Sequence, residues 1–131
     1  MGVELVSIIT PCYNSEKYIT ETYHSIKKQG YSNWEWIIVD DYSTDNSVDV
    51  TKSFNDNKVK LFQQTSNKGA SIARNKGLEL AKGRFITFID SDDLWLPDFL
   101  SKSIDFLMNN HEELVYASYK RVDEELKHLL V

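Results

Sequence analysis

The sequence predicts an α/β domain with a largely parallel sheet flanked by helices. Short apolar runs that read as buried strands alternate with segments of helical periodicity. Three chemistry-bearing clusters also stand at the carboxyl ends of those runs, where open α/β sheets hold their ligands. A chain of 131 residues fits one such domain, since domains commonly take about 100–200 residues.

The elements follow in order. Residues 5–10, closed by Pro11, read as a buried strand. Ile19, Tyr23 and Ile26 recur on one helical face, and Gly30 stops that helix. Residues 36–39 form a second buried run, leading into Asp40 and Asp41. The turn-rich segment 42–47 then introduces a short helix reaching about Phe54.

Residues 59–63 alternate with period two, the mark of a half-buried or edge strand. Ala70, Ala73, Gly77 and Leu80 make a helical face of small residues that packs close to a sheet, and Gly83 ends it. Residues 85–89 are the clearest strand and deliver Asp90, Ser91, Asp92 and Asp93. Pro97 suits the first turn of a helix whose core face is Leu100, Ile104, Leu107 and Met108. Residues 115–119 read as a last strand, and the tail from Arg121 to Val131 has no clear assignment.

Composition narrows the function. Hydrophobic residues make up 41% and aromatic residues 12% of the chain, enough for a packed core. Fifteen Lys and Arg against 20 Asp and Glu give a net charge of −5, which argues against a nucleic-acid binder. The single cysteine, Cys12, forms no internal disulfide and reads as a structural thiol. No secretory signal opens the sequence, Val6 breaks a myristoylation motif after Gly2, and no stretch is long enough to span a bilayer. A cytoplasmic location is expected, including a peripheral place at the inner membrane face. His24, His111 and His128 are too dispersed for zinc. Esterase, P-loop and ordinary dinucleotide motifs do not occur.

The acidic clusters carry two readings each. Asp90, Asp92 and Asp93 crowd like charges onto one turn, a conflict relieved by a raised pKa or by a cation. Mg²⁺ or Mn²⁺ suits one or two such carboxylates with a substrate diphosphate completing the shell. Alternatively these are solvated acids helping the next helix N-terminus. Asp40 and Asp41 can accept from a ribose hydroxyl or a base N–H, or they can join the cap of the following helix. Lys68 and Arg74 flank a glycine-led helix start that suits an anion, or they form a solvated basic face. Trp95 stands beside the acidic turn.

Four motifs, taken together, resemble a known family. Residues 6–14 (VSIITPCYN), 37–45 (IIVDDYSTD), 67–69 with 73–77 (NKG and ARNKG) and 88–93 (FIDSDD) are similar, in that order, to the family 2 glycosyltransferases of the GT-A fold. The similarity runs from about residue 5 to residue 120. Tyr42 departs from it, standing where the family often has glycine, a change confined to the turn. The resemblance implies a Rossmann-like nucleotide-diphospho-sugar transferase fold and metal-assisted transfer from a nucleotide diphosphate donor, with UDP-sugar first in line. Transfer is to an acceptor hydroxyl, with inversion. It further implies that Thr10 and Pro11 line the nucleotide pocket and that Asp41, with Asp40 beside it, meets the base. Asp90 then lies near ribose and metal, and Asp92 is the direct ligand of Mn²⁺ or Mg²⁺. Lys68 and Arg74 carry over to the nucleotide or the pocket wall.

In that family the catalytic base and most of the acceptor site lie well beyond the D-x-D turn, and here 38 residues follow Asp93. The expectation is therefore a single, incomplete domain over residues 1–131, cut short on its C-terminal side. It would hold donor and metal, with the base beyond residue 131. A non-catalytic nucleotide-sugar-binding module shares every motif and is the alternative. A receiver-like or dehalogenase-like phosphotransfer domain fits less well, because its key aspartate follows the first strand, where this chain has Thr10 and Pro11. Apolar surface left open by a missing half would favour self-association. A glycan of the cell surface is the acceptor class implied.

Overall fold

A computed structural model describes residues 4–113, 115, 121–122 and 129–130. The chain divides into two compact units, Met1–Ser101 and Lys102–Val131. The first contains four parallel strands, β1 (Val6–Cys12), β2 (Trp34–Asp40), β3 (Val59–Gln63) and β4 (Phe85–Phe88), in the spatial order β3-β2-β1-β4. Between them run α1 (Ile19–Lys27), α2 (Ser47–Ser53) and α3 (Ala70–Leu80). This is the layered α/β sheet expected from the alternation of runs and helices.

β1 and β2 are central and covered on both faces, so nearly every residue in them is buried. That is why they read as continuous apolar runs rather than alternating ones. On one face Ile9, Ile37 and Val39 pack with Ala73 of α3. On the other, Trp36 stacks with Tyr23 of α1, which in turn lies 4.1 Å from Phe54. The outer strands of the four are less covered: β4 alternates between half-buried and exposed residues, and β3 has no fully buried residue. On β4, Ile86 and Phe88 are 46% and 44% exposed.

Gly77 explains the small-residue face of α3. A Cβ there would come within 2.4 Å of the Ile9 Cγ2 atom, so the helix lies against β1 at a distance that only glycine permits.

Three local expectations need correction. Pro11 does not end β1, which continues to Cys12 in register with Asp40. The β1–β4 pairing stops at Ile9 and Phe88, and in a parallel strand alternate residues bond to opposite neighbours. Cys12 carbonyl accepts the Asp41 N–H on the β2 side. Pro11 therefore turns toward the β4 side after that ladder has ended, and its missing N–H costs no pair.

Gly83 is not the stop of α3, which closes at Leu80 with Ala81 already extended. Gly83 instead permits close passage past β1: a Cβ would meet Leu5 O and Ser7 N at 2.7 Å. Pro97 likewise precedes the next helix, α4 (Phe99–Asn110), rather than lying in its first turn. Its carbonyl accepts the Gly30 N–H at 3.0 Å. Along α4, Leu100 and Ile104 are buried and Leu107 is half-buried, while Met108 is 42% exposed.

The second unit contains most of α4 and a short antiparallel pair, β5 (Arg121–Val122) with β6 (Leu129–Leu130). Of the strand expected over 115–119, all but Val115 lies outside the described residues. Among the described residues no helix is long and apolar enough to cross a membrane.

Candidate functional site

The site gathers at the carboxyl ends of β1, β2 and β4. Asp40, the last residue of β2, is 2% exposed. Its carboxylate accepts the Ser43 N–H at 3.0 Å and the Ser43 hydroxyl at 2.6 Å. That closure bends the chain through Tyr42, which adopts a φ of +66°. A left-handed φ favours glycine, which accounts for the residue type the resemblance implied at this turn.

Asn14, also left-handed with a φ of +49°, fastens the turn to the end of β1. Its Oδ1 accepts the Thr44 N–H at 2.8 Å, and its own N–H donates to Ser43 Oγ at 3.0 Å.

Asp41 points the other way. At 4% exposure it accepts the backbone N–H of Lys68 on Oδ1 and that of Gly69 on Oδ2, each at 2.8 Å. These are the last two residues before α3, and Gly69 has a φ of +95°. The carboxylate thus fixes the start of α3 against the end of β2. The ammonium-bearing side chain of Lys68 belongs to an exposed residue, so it is the backbone of Lys68 that makes this tie.

Thr10 is enclosed, with 0% exposure. Its hydroxyl donates to the Ile89 carbonyl at 2.6 Å and accepts from the Trp36 indole N–H at 2.8 Å. It therefore binds the end of β4 to β1, directly beneath the acidic turn. Pro11 is half-buried. Next to it, burial and the neighbouring Asp40 push the Cys12 thiol up to about 11, which keeps it protonated and unsuited to nucleophilic work.

The acidic turn itself brings Asp90, Asp92 and Asp93 together. One carboxylate oxygen from each lies within 4.8 Å of the others, and all three residues are exposed. Burial of its carboxyl and the nearby charges of Asp92 and Asp90 raise the Asp93 pKa. Arg74, from α3, reaches Asp90 with Nη2 3.3 Å from Oδ1. Each expected site residue is thus placed around one sheet edge: the carboxylates in the centre, Arg74 beside them, Asp41 and Lys68 along the α3 side.

A cleft of about 360 Å³ lies elsewhere, between β3 and α3. Phe62, Lys68 and Lys76 are among its walls. It touches the site only through Lys68. Charged groups converge instead at the acidic turn.

Residues that carry no obvious chemistry in the sequence support that turn. Ser15 Oγ and Ser91 Oγ are hydrogen-bonded at 2.5 Å, and the Thr22 hydroxyl is shared between the Asp93 carbonyl at 2.7 Å and the Ser91 carbonyl at 3.2 Å. The only signal for Ser91 was its place inside the Asp90-Ser91-Asp92 turn. Thr22 gave none.

Comparison with known proteins agrees with this geometry. Residues 7–129 match the family model for glycosyl transferase family 2. The UDP-Glc:alpha-D-GlcNAc-diphosphoundecaprenol beta-1,3-glucosyltransferase WfgD of Escherichia coli is 41% identical over 119 residues, covering 91% of this chain and 47% of that protein. This chain therefore spans about half the length of that curated relative. The crystal structure of S. aureus TarS 1-349 in complex with UDP-GlcNAc superposes with a TM-score of 0.76 at 38% identity, over 81% of this chain and 32% of that one. The mannosyltransferase PcManGT from Pyrobaculum calidifontis, solved with GDP-Man and Mn2+, gives a TM-score of 0.73 at 28% identity, over 78% and 32% of the two chains. The sheet order, the placement of the four motifs and these likenesses agree on the GT-A fold, and the chain belongs to glycosyl transferase family 2.

Proposed function

We propose that this chain is the donor-binding part of a glycosyltransferase that moves a sugar from a nucleotide diphosphate, foremost UDP, to an acceptor hydroxyl with inversion. The observation that carries the reading is the meeting of Asp90, Asp92 and Asp93 within 4.8 Å at the end of β4, with Arg74 3.3 Å from Asp90. Three like charges so close, on exposed side chains, fit a divalent cation in chemistry: carboxylate oxygens with open positions are what Mg²⁺ and Mn²⁺ take. Asp92, joined by Asp90, would hold it. When bound, such an ion supplies positive charge that offsets the negative charge growing on the departing diphosphate.

The remaining residues bind and orient. Asp41 lies at the side where the base would sit, and by gripping the amides of Lys68 and Gly69 it keeps that wall rigid. Asp40 shapes the same wall through its closure on Ser43. Thr10 acts from below, holding the Ile89 carbonyl so that Asp90 leaves the sheet at a fixed point, and Pro11 lines the floor. Lys68 and Arg74 offer cationic charge toward the phosphates. Arrangement of this kind favours the transition state because the charges stand ready before it forms.

The chain corresponds to about half the length of WfgD, and the base and acceptor subsite are assigned to the other half of such an enzyme. The UDP-GlcNAc complex of TarS and the GDP-Man and Mn2+ complex of PcManGT support nucleotide sugar and metal as ligands. WfgD, named for a diphosphoundecaprenol-linked acceptor, supports a cell-surface glycan built at the inner membrane face.

Calorimetric titration of UDP into this chain, with and without Mn²⁺, tests the proposal. Metal-dependent binding that disappears in Asp92→Ala is expected. No binding of UDP or GDP under either condition would overturn it.

A further inference from the structure

We propose that a buried polar stripe on α1, formed by Thr22 and Ser25 and continued by Gln29 just past its end, is the positioning device for the acidic turn. The inference rests on the donor-site reading above and assigns these residues a role in it.

Helix residues that face inward are ordinarily apolar, and Ile19, Tyr23 and Ile26 meet that rule. Thr22, Ser25 and Gln29 do not, with exposures of only 0%, 9% and 7%. A buried hydroxyl or amide stays buried only when partnered, and the partners here converge on a single segment. Thr22 Oγ1 serves the carbonyls of Asp93 and Ser91. Ser25 Oγ accepts the Trp95 N–H at 3.3 Å and donates to the Thr22 carbonyl at 2.8 Å.

Gln29 Nε2 donates to the Leu96 carbonyl at 2.7 Å, and its Oε1 accepts the Leu100 N–H at 3.0 Å. Gly30, next in the chain, donates its N–H to the Pro97 carbonyl. The spacing of the three side chains matches successive turns of one helical face, and their partners advance along the chain in the same order, from 91 to 100.

The stripe therefore acts as a template. A turn carrying three mutually repelling carboxylates would open if left to itself, and its backbone carbonyls at Ser91 and Asp93 are held from inside by Thr22. None of the three residues would touch donor or metal. They act through Ser91 and Asp93, whose backbone they fix.

Thr22→Val keeps the shape of the side chain and removes the hydroxyl. In the 131-residue chain, its Mn²⁺-dependent UDP affinity is expected to fall roughly 10- to 100-fold, the usual cost of losing a group that orients metal ligands. Thr22→Ser restores it. Amide exchange of Asp93, whose N–H bonds Asp90 O at 3.1 Å, should quicken in the valine variant and recover in the serine variant.

Ile26→Val thins the core on the same helix without touching the stripe, and it should leave the metal-dependent affinity unchanged. If Thr22→Val does not fold, Ser25→Ala carries the same test through Trp95. Unchanged affinity in the folded stripe variants, or an equal loss in Ile26→Val, would overturn the positioning role alone. Absence of any UDP binding by the unsubstituted chain, with Mn²⁺ present, would overturn the donor-site reading and this inference with it.

Discussion

Asp41 holds Gly69 by a hydrogen bond of 2.8 Å between a carboxylate oxygen at the end of β2 and the backbone N–H at the mouth of α3. The second oxygen takes the Lys68 N–H at the same distance. One side chain thus satisfies two consecutive amides and sets the origin of a helix that packs on β1. Asp41→Asn keeps the shape but has one acceptor oxygen where two are needed. A buried donor left unpaired costs about 1–3 kcal/mol. Urea denaturation should show a loss of that order, and UDP binding should weaken with it, because the proposed base site shares this wall.

Gly77 and Ile9 make a second close relationship, and its consequence runs against helix propensity. Alanine is favoured over glycine in a helix interior by about 1 kcal/mol. Yet the added methyl would stand 2.4 Å from Ile9 Cγ2, a contact that must be relieved by shifting α3 or the isoleucine. Overpacking of this kind costs about 1–3 kcal/mol. Gly77→Ala should lower the urea midpoint. A raised midpoint would mean that α3 does not lie as close to β1 as described.

Much of this architecture is legible in the sequence, because strands buried on both faces show themselves as unbroken apolar runs. The acidic turn after β4 and the Asp40-Asp41 pair at the end of β2 were visible for the same reason: they interrupt such runs at the strand ends. What stayed hidden depends on partners distant in sequence. Thr22 stands three residues from Ile19 and four from Ile26, on the inner face of α1, but nothing near it in sequence announces that its hydroxyl meets the carbonyls of Ser91 and Asp93. Lys68 invited a reading from its charge, while the structure uses its amide. Nor did the sequence disclose that Thr10 is enclosed, its hydroxyl set between the Ile89 carbonyl and the Trp36 indole N–H.

Asp45 gives the acid limb of the stability profile. Burial works to raise its pKa, but hydrogen bonds from the Ser47 hydroxyl and amide and from the Glu16 amide outweigh it and hold the carboxyl below its ordinary 3.8. Asp56 is held low in the same way, against burial, by the Lys58 amide, the Tyr23 hydroxyl and two lysines. A carboxyl whose folded pKa is depressed stabilises the fold fully above its unfolded value, and that contribution is lost as pH falls through the folded one. Urea midpoints should therefore hold from neutrality to about pH 4 as far as these two groups decide, then drop. Asp45→Asn should be less stable at pH 7 and should show a shallower drop below pH 4. Parallel curves for the two proteins would remove Asp45 from the account.

Asp93, on the acidic turn, acts in the opposite sense. Burial and the charges of Asp92 and Asp90 raise the Asp93 pKa, so its ionisation opposes folding above the raised value and is relieved by acid. Removing one of the three charges should relieve it as well. Asp92→Asn is accordingly expected to be at least as stable as the unsubstituted chain at pH 7 without metal. With the proposed site in place, Mn²⁺ should reverse the order, because an ion bound only by the folded state stabilises it by about 2.7 kcal/mol at a hundredfold excess over Kd. Thermal melts of both proteins with and without Mn²⁺ would reveal the crossing. If Mn²⁺ raised the Tm of Asp92→Asn as much as that of the unsubstituted chain, the ion would be held elsewhere. Asp92 would then lose its place as the ligand.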